Sequence, residues 1–288
     1  MLPPEDRTFV FVGGLHRSGT TLVARLLASH PLISGFSQTG AREDEGQYLQ
    51  SVYPTGNRYG GPGRFAFARE MHVTERSPLA SEHNRRLLWG EWRRHWDERK
   101  PVLVEKSPPN ILKTRLLQAM FADARFVLVM RHPVANVEAT RKWTRRTTRT
   151  QLLRHWLACH ETMAEDLPFL RRAIVVHYED LIARPASELS RLLEFVGVPP
   201  SRSELEVREN INESYFASWE QAHGRILGAL HRRLIAHRLE QRVARFGYSL
   251  TDLRSPPQPL VGQSGAQVRA ARAGAEADAA PESVISGG

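Results

Sequence analysis

Short apolar runs alternate along the chain with longer segments of helical periodicity. The runs predict strands at residues 8–14, 102–105, 125–130 and 173–177. Helical spacing predicts helices at residues 20–29, 82–99, 110–120, 185–195 and 225–245, and a further helix directly after Pro133. Strands that are separated by helices pair in parallel through right-handed crossovers. The pattern therefore predicts an α/β fold, a three-layer αβα sandwich with a mainly parallel central sheet.

One long stretch, residues 35–78, breaks this alternation. It is rich in Gly, Tyr and Pro and contains the turn sequence Tyr-Gly-Gly-Pro-Gly at residues 59–63. Loops of this length inside a compact domain usually serve as lids or binding loops. We therefore expect residues 1–253 to form one domain, in which 35–78 is a lid or acceptor-binding region. Residues 254–288 lack apolar periodicity, and we expect a disordered tail there.

The composition is biased toward arginine. The 288 residues include 40 Lys and Arg against 31 Asp and Glu, which gives a net charge of +9, and 41% of them are hydrophobic. That hydrophobic share excludes a disordered or fibrous protein for most of the length. Arginine supplies all of the positive charge except that of Lys100, Lys106, Lys113 and Lys142. Guanidinium groups bind phosphate and sulfate oxygens in pairs, so the charge indicates an anionic partner.

Cys159 is the only cysteine. This excludes an internal disulfide and a cysteine-cluster zinc site, and we expect the thiol to be buried in a helix. The N-terminal residues are acidic where a signal peptide has a basic region. No window approaches the roughly 18 apolar residues that a membrane span needs. The sequence therefore predicts a cytoplasmic protein without a transmembrane span.

The segment from Gly14 to Thr21 has the spacing of a phosphate loop. It reads Gly-Leu-His-Arg-Ser-Gly-Thr-Thr and lies between a predicted strand and a predicted helix. Glycines let successive N–H groups turn toward one anion, and the helix N-terminus adds a positive dipole. Thr20 stands where a nucleoside triphosphatase has its phosphate-binding lysine, while Arg17 places a cation inside the loop. We interpret the segment as an anion site rather than as an ordinary strand-to-helix turn.

Four segments together resemble the sulfotransferases that use 3′-phosphoadenylyl sulfate (PAPS). Residues 16–22 (HRSGTTL) resemble their 5′-phosphosulfate loop, in the branch that includes the tyrosylprotein sulfotransferases. Residues 104–108 (VEKSP), 126–133 (FVLVMRHP) and 176–181 (VHYEDL) match further segments in the family's order, and the likeness spans residues 9–199. The resemblance implies a P-loop NTPase-like sulfotransferase fold. It also implies in-line, metal-independent transfer of the sulfuryl group to a hydroxyl or amine, with PAP as the product.

The resemblance also implies roles for individual residues. The 5′-phosphosulfate is expected to be bound by His16, Arg17, Ser18, Gly19, Thr20 and Thr21. Lys106 is expected to stabilise the bridging oxygen as the bond to sulfur breaks, and Arg17 is expected to be catalytic as well. Arg131 is expected to bind the 3′-phosphate, and Tyr178 to contact the nucleotide. The alternatives are a salt bridge to Glu105 for Lys106 and core packing at a strand end for Tyr178.

The sequence departs from the family where a serine usually shares the 3′-phosphate. That serine lies eight positions after the arginine, and Ala139 occupies the position here. Either Thr140 replaces it, or the neighbouring arginines Arg141, Arg145 and Arg146 take over. The basic run that contains these arginines is equally explained as a solvated face.

The same resemblance places the general base in the acidic cluster at residues 43–47. The tyrosylprotein branch carries its catalytic glutamate in a corresponding region. A carboxylate close to the acceptor hydroxyl can take its proton, most effectively if burial raises its pKa. Glu43 and Glu45 are the candidates, with Glu45 slightly favoured, and a solvated acidic loop is the alternative. His16 is a further candidate because it adjoins the phosphate loop.

Two other functions fit parts of the sequence. A nucleotide kinase or triphosphatase with an altered Walker lysine would use the same loop and would bind ATP with Mg²⁺. The net charge alone also fits a nucleic-acid-binding protein. The basic residues are spread along the chain without a recognisable base-reading module, so we expect no nucleic-acid partner. The expected partner is an acceptor, either a small molecule or a glycan or peptide, and the sequence does not indicate which.

Overall fold

Five parallel strands form the central sheet in the part of the chain that the structure describes. The structure is a computed structural model, and it describes residues 2–144, 147–203, 205, 211–222 and 225–258. The strands are β1 (Thr8–Gly14), β2 (Ile33–Gly35), β3 (Val102–Lys106), β4 (Asp123–Met130) and β5 (Ala173–His177). They lie in the order β2-β3-β1-β4-β5, and every neighbouring pair is parallel. The carboxyl ends of the strands therefore meet at one edge, where open α/β sheets bind ligands.

Helices connect the strands, as the sequence pattern predicts. Those in the described residues are α1 (Thr20–Ala28), α2 (Glu82–Trp92), α3 (Thr114–Met120), α4 (Pro133–Arg141), α5 (Arg149–Asp166), α6 (Tyr178–Ala183), α7 (Pro185–Val196), α8 (Ile211–Glu220) and α9 (Arg225–Ala244). The predicted strand at residues 8–14 and the predicted strand at 173–177 have the same bounds in the structure.

The two faces of the sheet bury different side chains. In β1, Phe9 and Phe11 pack into an aromatic-rich cluster on one face, to which α2, α3 and α5 contribute. Val10 and Val12 pack into an aliphatic cluster on the other face, to which α1 and α7 contribute. Alternate residues of a strand point to opposite faces, so a strand that is covered on both faces reads as one apolar run. The three-layer sandwich is confirmed.

The helix predicted over residues 82–99 is shorter in the structure. α2 ends at Trp92, and the chain then turns so that Trp96 packs beside β3. The indole Nε1 of Trp96 donates to the carbonyl oxygen of Val104 at 2.9 Å. This bond to the sheet outweighs the helical spacing of the apolar residues.

The helix predicted over residues 110–120 begins later, at Thr114. Residues Pro108–Leu112 form a 3₁₀ turn. In this turn the side-chain amide of Asn110 donates to the carbonyl oxygen of Val12 at 3.3 Å. The strand β2 was not predicted at all, because its three residues are too few to give a periodic signal.

Residues 35–78 form a series of short 3₁₀ turns rather than an open loop. Phe65 and Met71 from this stretch are fully buried in the aromatic-rich cluster. The stretch is therefore packed onto the sheet. Its role as a lid or acceptor-binding region stays a prediction. The single domain over residues 1–253 also stays a prediction. Of the predicted tail, residues 259–288 lie outside the described residues.

Two further expectations concern single features. Cys159 is buried in α5, as predicted, and burial raises the pKa of its thiol. Within the described residues, no helix combines the length and the apolar character that crossing a membrane requires.

Candidate active site

A cleft opens at the carboxyl edge of the sheet, beside the loop that follows β1. Its cavity volume is about 200 Å³. The walls come from the loop and first turn of α1, from the turn at residues 42–48, and from more distant residues that the fold brings beside them. The lining residues are His16, Arg17, Gly19, Thr20, Thr21, Leu22, Arg42, Glu43, Glu45, Tyr48, Pro108, Arg131, Trp143, Tyr178, Ile211 and Tyr215.

Gly19 fits the phosphate loop closely against Tyr178. Its φ of 104° lies in the left-handed region, and it is the N-cap residue of α1. A Cβ atom at Gly19 would lie 2.6 Å from Cδ2 of Tyr178, so there is no space for a side chain. Because no side chain caps α1, the first N–H groups of the helix are left for a ligand, as at other anion-binding helix N-termini.

Ser18 is bonded inside the loop. Its N–H and its hydroxyl both donate to the carbonyl oxygen of Leu15, at 3.1 and 2.7 Å. These bonds close the turn from Leu15 to Ser18. A contact between Ser18 and a ligand stays a prediction.

Lys106 lies at the carboxyl end of β3 and forms a buried ion pair. Its ammonium donates to the carbonyl oxygen of Glu43 at 2.8 Å and lies 3.4 Å from Oε1 of Glu45. The side chains of Lys106 and Glu45 are each only 6% exposed, so water screens their interaction little. Lys106 does not itself line the cleft, but its ammonium contacts Glu43 and Glu45, which do.

Glu45 and Glu43 have different surroundings. Burial raises the pKa of Glu45, while Lys106 and a hydrogen bond from Gln47 oppose the shift. The side chain of Glu43 is exposed, and its φ of 54° lies in the left-handed region. A buried carboxylate with a raised pKa has the properties that general-base catalysis favours.

The side chain of Glu105 lies on the face of β3 opposite that of Lys106. Its carboxylate accepts hydrogen bonds from the N–H of Gly46 at 2.9 Å and from the hydroxyl of Ser107 at 2.6 Å. Burial raises the pKa of Glu105 to about 7. Adjacent strand residues point to opposite faces, and the ion pair of Lys106 within the described residues is with Glu45. Glu105 anchors the turn that carries Glu45 instead of pairing with Lys106.

Arg131 follows β4 and joins the phosphate loop to α8. Its Nε and Nη2 donate to Oδ1 of Asn212 at 3.0 and 2.7 Å, and its Nη1 donates to the carbonyl oxygen of Arg17 at 2.8 Å. The guanidinium carbon lies 4.3 Å from the ring centre of Tyr178 and 5.3 Å from that of Tyr215. These contacts fix the guanidinium at the cleft wall.

Glu179 orients the amide of Asn212. The Nδ2 of Asn212 donates to Oε1 of Glu179 at 2.8 Å. The same carboxylate accepts from the N–H of His132 and from the hydroxyl of Tyr248, both at 2.9 Å. The amide oxygen of Asn212 is therefore the atom that faces Arg131.

Trp143 is an exposed aromatic side chain at the cleft. It is 46% exposed, although large apolar side chains are usually buried. The guanidinium of Arg17 lies 4.8 Å from its ring centre, and that of Arg42 lies 5.8 Å away. The indole thus contacts the guanidinium groups of both Arg17 and Arg42 at the mouth of the cleft.

The charges of the cleft suit a ligand with several anionic oxygens. Positive side chains outnumber negative ones among the described residues of the site: Arg17, Arg42, Lys106 and Arg131 against Glu43 and Glu45. Nowhere in the described residues do three or more His, Cys, Asp or Glu side chains form a group that could hold a metal ion.

The family model of the sulfotransferases matches residues 10–202. The chain belongs to the sulfotransferase family. The matched residues include the phosphate loop, Lys106 and Arg131, so the resemblance seen in the sequence motifs is confirmed. In this family member, β1, β3 and β4 present those groups at one edge of the sheet.

Similar curated proteins are named as sulfotransferases. Protein-tyrosine sulfotransferase A of Caenorhabditis elegans is 25% identical over 214 residues, which cover 66% of this chain and 50% of that protein. Protein-tyrosine sulfotransferase 1 of Danio rerio is 25% identical over 217 residues, which cover 73% of this chain and 59% of that protein. The chain thus spans between half and three fifths of the length of these relatives. A solved sulfotransferase structure from Mycobacterium avium has a TM-score of 0.49 at 14% identity, over 88% of this chain and 79% of that one.

The fold brings most of the predicted site residues together. Those that line the cleft are His16, Arg17, Gly19, Thr20, Thr21, Glu43, Glu45, Arg131 and Tyr178. Lys106 reaches the site through its contact with Glu45. The role of each of these residues stays a prediction.

Thr140 is not among the residues that line the cleft. Its hydroxyl is buried and has no hydrogen-bond partner among the described residues. Arg141 pairs with Glu138 at 3.0 Å, while Arg145 and Arg146 lie outside the described residues. Which group takes the place of the missing serine stays a prediction.

His16 lines the cleft as a neutral imidazole. Burial lowers its pKa to about 3, and the nearby charges of Arg42 and Lys106 act in the same direction. Its Nδ1 is buried without a hydrogen-bond partner in the described part of the chain. Such a low proton affinity does not favour the role of general base, and that role of His16 stays a prediction.

Some cleft residues were not predicted as part of the site. Arg42 directly precedes the acidic cluster, and Trp143 lies in the basic run that also reads as a solvated face. Asn212 and Tyr215 lie in α8, beyond residues 9–199, where the likeness to the family ends. Only the position of Arg42 and Trp143 next to recognised segments could have drawn attention to them.

Proposed function

We propose that this protein transfers the sulfuryl group of PAPS to a hydroxyl or amine of an acceptor, leaving PAP. One observation carries the proposal: the buried Lys106–Glu45 pair lies at the cleft of an uncapped phosphate loop, in a chain of the sulfotransferase family. Lysine and glutamate supply the two functions that sulfuryl transfer requires, stabilisation of the leaving oxygen and removal of the acceptor's proton. PAPS supplies the sulfuryl group.

The cations divide between the two ends of the nucleotide. Arg17 and the N–H groups at the start of α1 would hold the 5′-phosphosulfate, with Lys106 at the leaving oxygen. Arg131 would hold the 3′-phosphate. Three of its five N–H groups are bonded to Asn212 and Arg17, which leaves two for a ligand. Such fixed donors need no reorganisation during the reaction. We further propose that the transfer requires no metal ion.

Glu45 is the proposed general base. Its carboxylate would take the proton of the acceptor hydroxyl as the bond to sulfur forms. Lys106 and Gln47 favour the ionised form at neutral pH, while burial keeps its proton affinity above that of a solvated glutamate. Glu43 contributes its carbonyl oxygen to the position of Lys106.

We propose the chemical class of the acceptor and not its identity. The relatives are named protein-tyrosine sulfotransferases, so the phenolic hydroxyl of a tyrosine peptide is the first acceptor to test, followed by small alcohols, phenols and glycans. The cytoplasmic location stays a prediction of the sequence. A nucleotide kinase or triphosphatase is not favoured, because Thr20 takes the lysine position and the family match is to sulfotransferases.

The experiment is transfer of labelled sulfate from PAPS to this acceptor panel in the presence of EDTA. We expect labelled product from the wild type, and about 10²–10⁴-fold less from Glu45→Ala because the base is removed. Glu70→Ala is the matched control, since Glu70 is an exposed glutamate of the same 35–78 stretch. Equal rates for Glu45→Ala and Glu70→Ala would exclude Glu45 as the base. Labelled product that requires Mg²⁺ would contradict metal independence.

A further inference from the structure

Gln47 connects the carboxylate of Glu45 to the backbone of the next turn. Its Nε2 donates to Oε2 of Glu45 at 2.5 Å. Its Oε1 accepts from the N–H of Gly56 at 2.8 Å. Gln47 is only 2% exposed, so neither bond competes with bulk water.

The partners of Gln47 determine which way its amide points. The N–H of Gly56 can only donate, so the atom that faces it must be the amide oxygen. The NH₂ group is then the atom that faces Glu45. A carboxylate that accepts such a bond is stabilised in its ionised form.

The backbone around Gln47 is fastened to the strand that carries Lys106. The N–H of Gln47 donates to the hydroxyl of Ser107 at 2.9 Å, and the N–H of Gly46 donates to Glu105 at 2.9 Å. Glu105, Lys106 and Ser107 are consecutive at the end of β3. Lys106 therefore holds one oxygen of Glu45, while its two neighbours hold the backbone of the turn.

We propose that Gln47 is a positioning residue that keeps the Glu45 carboxylate ionised and directed at Lys106. The inference deepens the proposed function, because it matters for the reaction only if Glu45 is the base. The two oxygens of Glu45 are held by different groups, Oε1 by Lys106 and Oε2 by Gln47. Loss of either group leaves the carboxylate free to turn.

Other titratable groups also act on Glu45. Lys106 on β3 favours its ionised form, and Glu43 on the same turn disfavours it. Burial raises the pKa of the Tyr48 hydroxyl on the following turn, and the nearby charge of Glu45 raises it further. Gln47 carries no charge, so its removal changes a hydrogen bond to Glu45 without changing the net charge of the site.

The test is a direct titration of Glu45 by NMR of the labelled side-chain carboxyl carbon, with the resonance assigned through Glu45→Gln. In Gln47→Met we expect the midpoint to rise by about one pH unit, because a hydrogen bond to the charged form is lost. Gln50→Met is the matched control: Gln50 bonds to Gln47 and Tyr53 backbone but not to Glu45. Its midpoint is expected to equal that of the wild type.

A second variant separates positioning from folding of the turn. Gln47→Glu keeps an oxygen for the N–H of Gly56 and places a second carboxylate beside Glu45, so the Glu45 titration is expected to move upward again because two adjacent carboxylates resist double ionisation. An unchanged Glu45 midpoint in a folded Gln47 variant overturns the proposal. PAP titration of the wild type tests the proposed function separately: absent PAP binding with a shifted midpoint refutes the sulfotransferase reaction but supports the role of Gln47 toward Glu45.

Discussion

Lys106 and Lys113 are seven residues apart and both buried, but their partners differ. Lys106 is 5% exposed and lies beside two oxygen atoms, the Glu43 carbonyl and the Glu45 carboxylate, at the cleft. Lys113 is 1% exposed, and its ammonium lies 3.8 Å from Sδ of Met71 and 5.4 Å from the ring centre of Tyr53. Burial lowers the pKa of Lys113 to about 7.

Burial alone therefore does not identify a functional lysine. A buried ammonium is costly unless hydrogen bonds and opposite charge compensate its lost hydration. At Lys106 the compensation is local and comes from two oxygen atoms beside the cleft. At Lys113 a thioether and a ring replace oxygen acceptors. We therefore expect Lys106 to matter for activity and Lys113 to matter for stability.

The largest expected effect contrasts the two lysines in sulfuryl transfer. Lys106→Ala is expected to lower the rate about 10²–10³-fold, because a fixed donor at the leaving oxygen is lost. Lys113→Met is expected to keep the wild-type rate. Transfer from labelled PAPS to the acceptor that the wild type uses measures both. Equal loss in the two variants would remove the distinction between them.

The contrast extends to Arg131, a second buried cation with oxygen partners at the cleft. Arg131→Ala is expected to weaken PAP binding about 10–100-fold, since hydrogen bonds to charged groups are worth about 1.5–3 kcal/mol. AMP lacks the 3′-phosphate, so its affinity should fall much less. Calorimetric titration with both nucleotides measures this. Arg191→Ala, which removes a partly exposed arginine of α7 paired with Glu188, is the control and should leave both affinities unchanged.

The pH dependence of stability distinguishes Lys113 from a paired lysine. Its pKa is about 7 in the folded protein and 10.5 in the unfolded chain, so the unfolded chain binds more protons between these values and the free energy of unfolding rises with pH. The slope of linkage limits the gain from pH 7.5 to 9 to about 2 kcal/mol. Urea denaturation at both pH values should show this gain in the wild type and its loss in Lys113→Met. The same rise in the free energy of unfolding of Lys113→Met would show that another group causes the pH dependence.

Trp143 gives the smallest expected effect. Trp143→Ala removes the ring between Arg17 and Arg42, and exposed cation–π contacts are worth about 0.5–1 kcal/mol. PAP affinity is therefore expected to fall about threefold in calorimetric titration. Trp143→Phe keeps a ring and should restore most of the loss. A fall of several hundredfold would instead mean that the indole contacts the nucleotide itself.

The parts of the site that the sequence predicts are those carried by local patterns. The strand β1 with its loop, Lys106 at the end of β3 and Arg131 after β4 each lie in a short apolar run followed by a recognisable motif. Asn212 could not be predicted, because its contact with Arg131 joins residues 81 positions apart and α8 has no motif. Thr140 was placed by its sequence distance from Arg131, which does not say where its side chain points.

The fold shows the same limit. Helical spacing of Trp92 and Trp96 predicts one continuous helix, but the indole bond from Trp96 to β3 ends α2 early. The acidic cluster predicts a general base with only a slight preference for Glu45 over Glu43. Burial and the contact with Lys106 distinguish them, and both depend on the packing of the turn against β3.

The most direct test of the central claim is a calorimetric titration of the wild-type protein with PAP in EDTA, compared with ATP and Mg²⁺. The cations at the cleft and the absence of a lysine after Gly19 predict micromolar PAP binding without metal, and much weaker binding of ATP with Mg²⁺. Binding of ATP with Mg²⁺ and none of PAP would contradict the account.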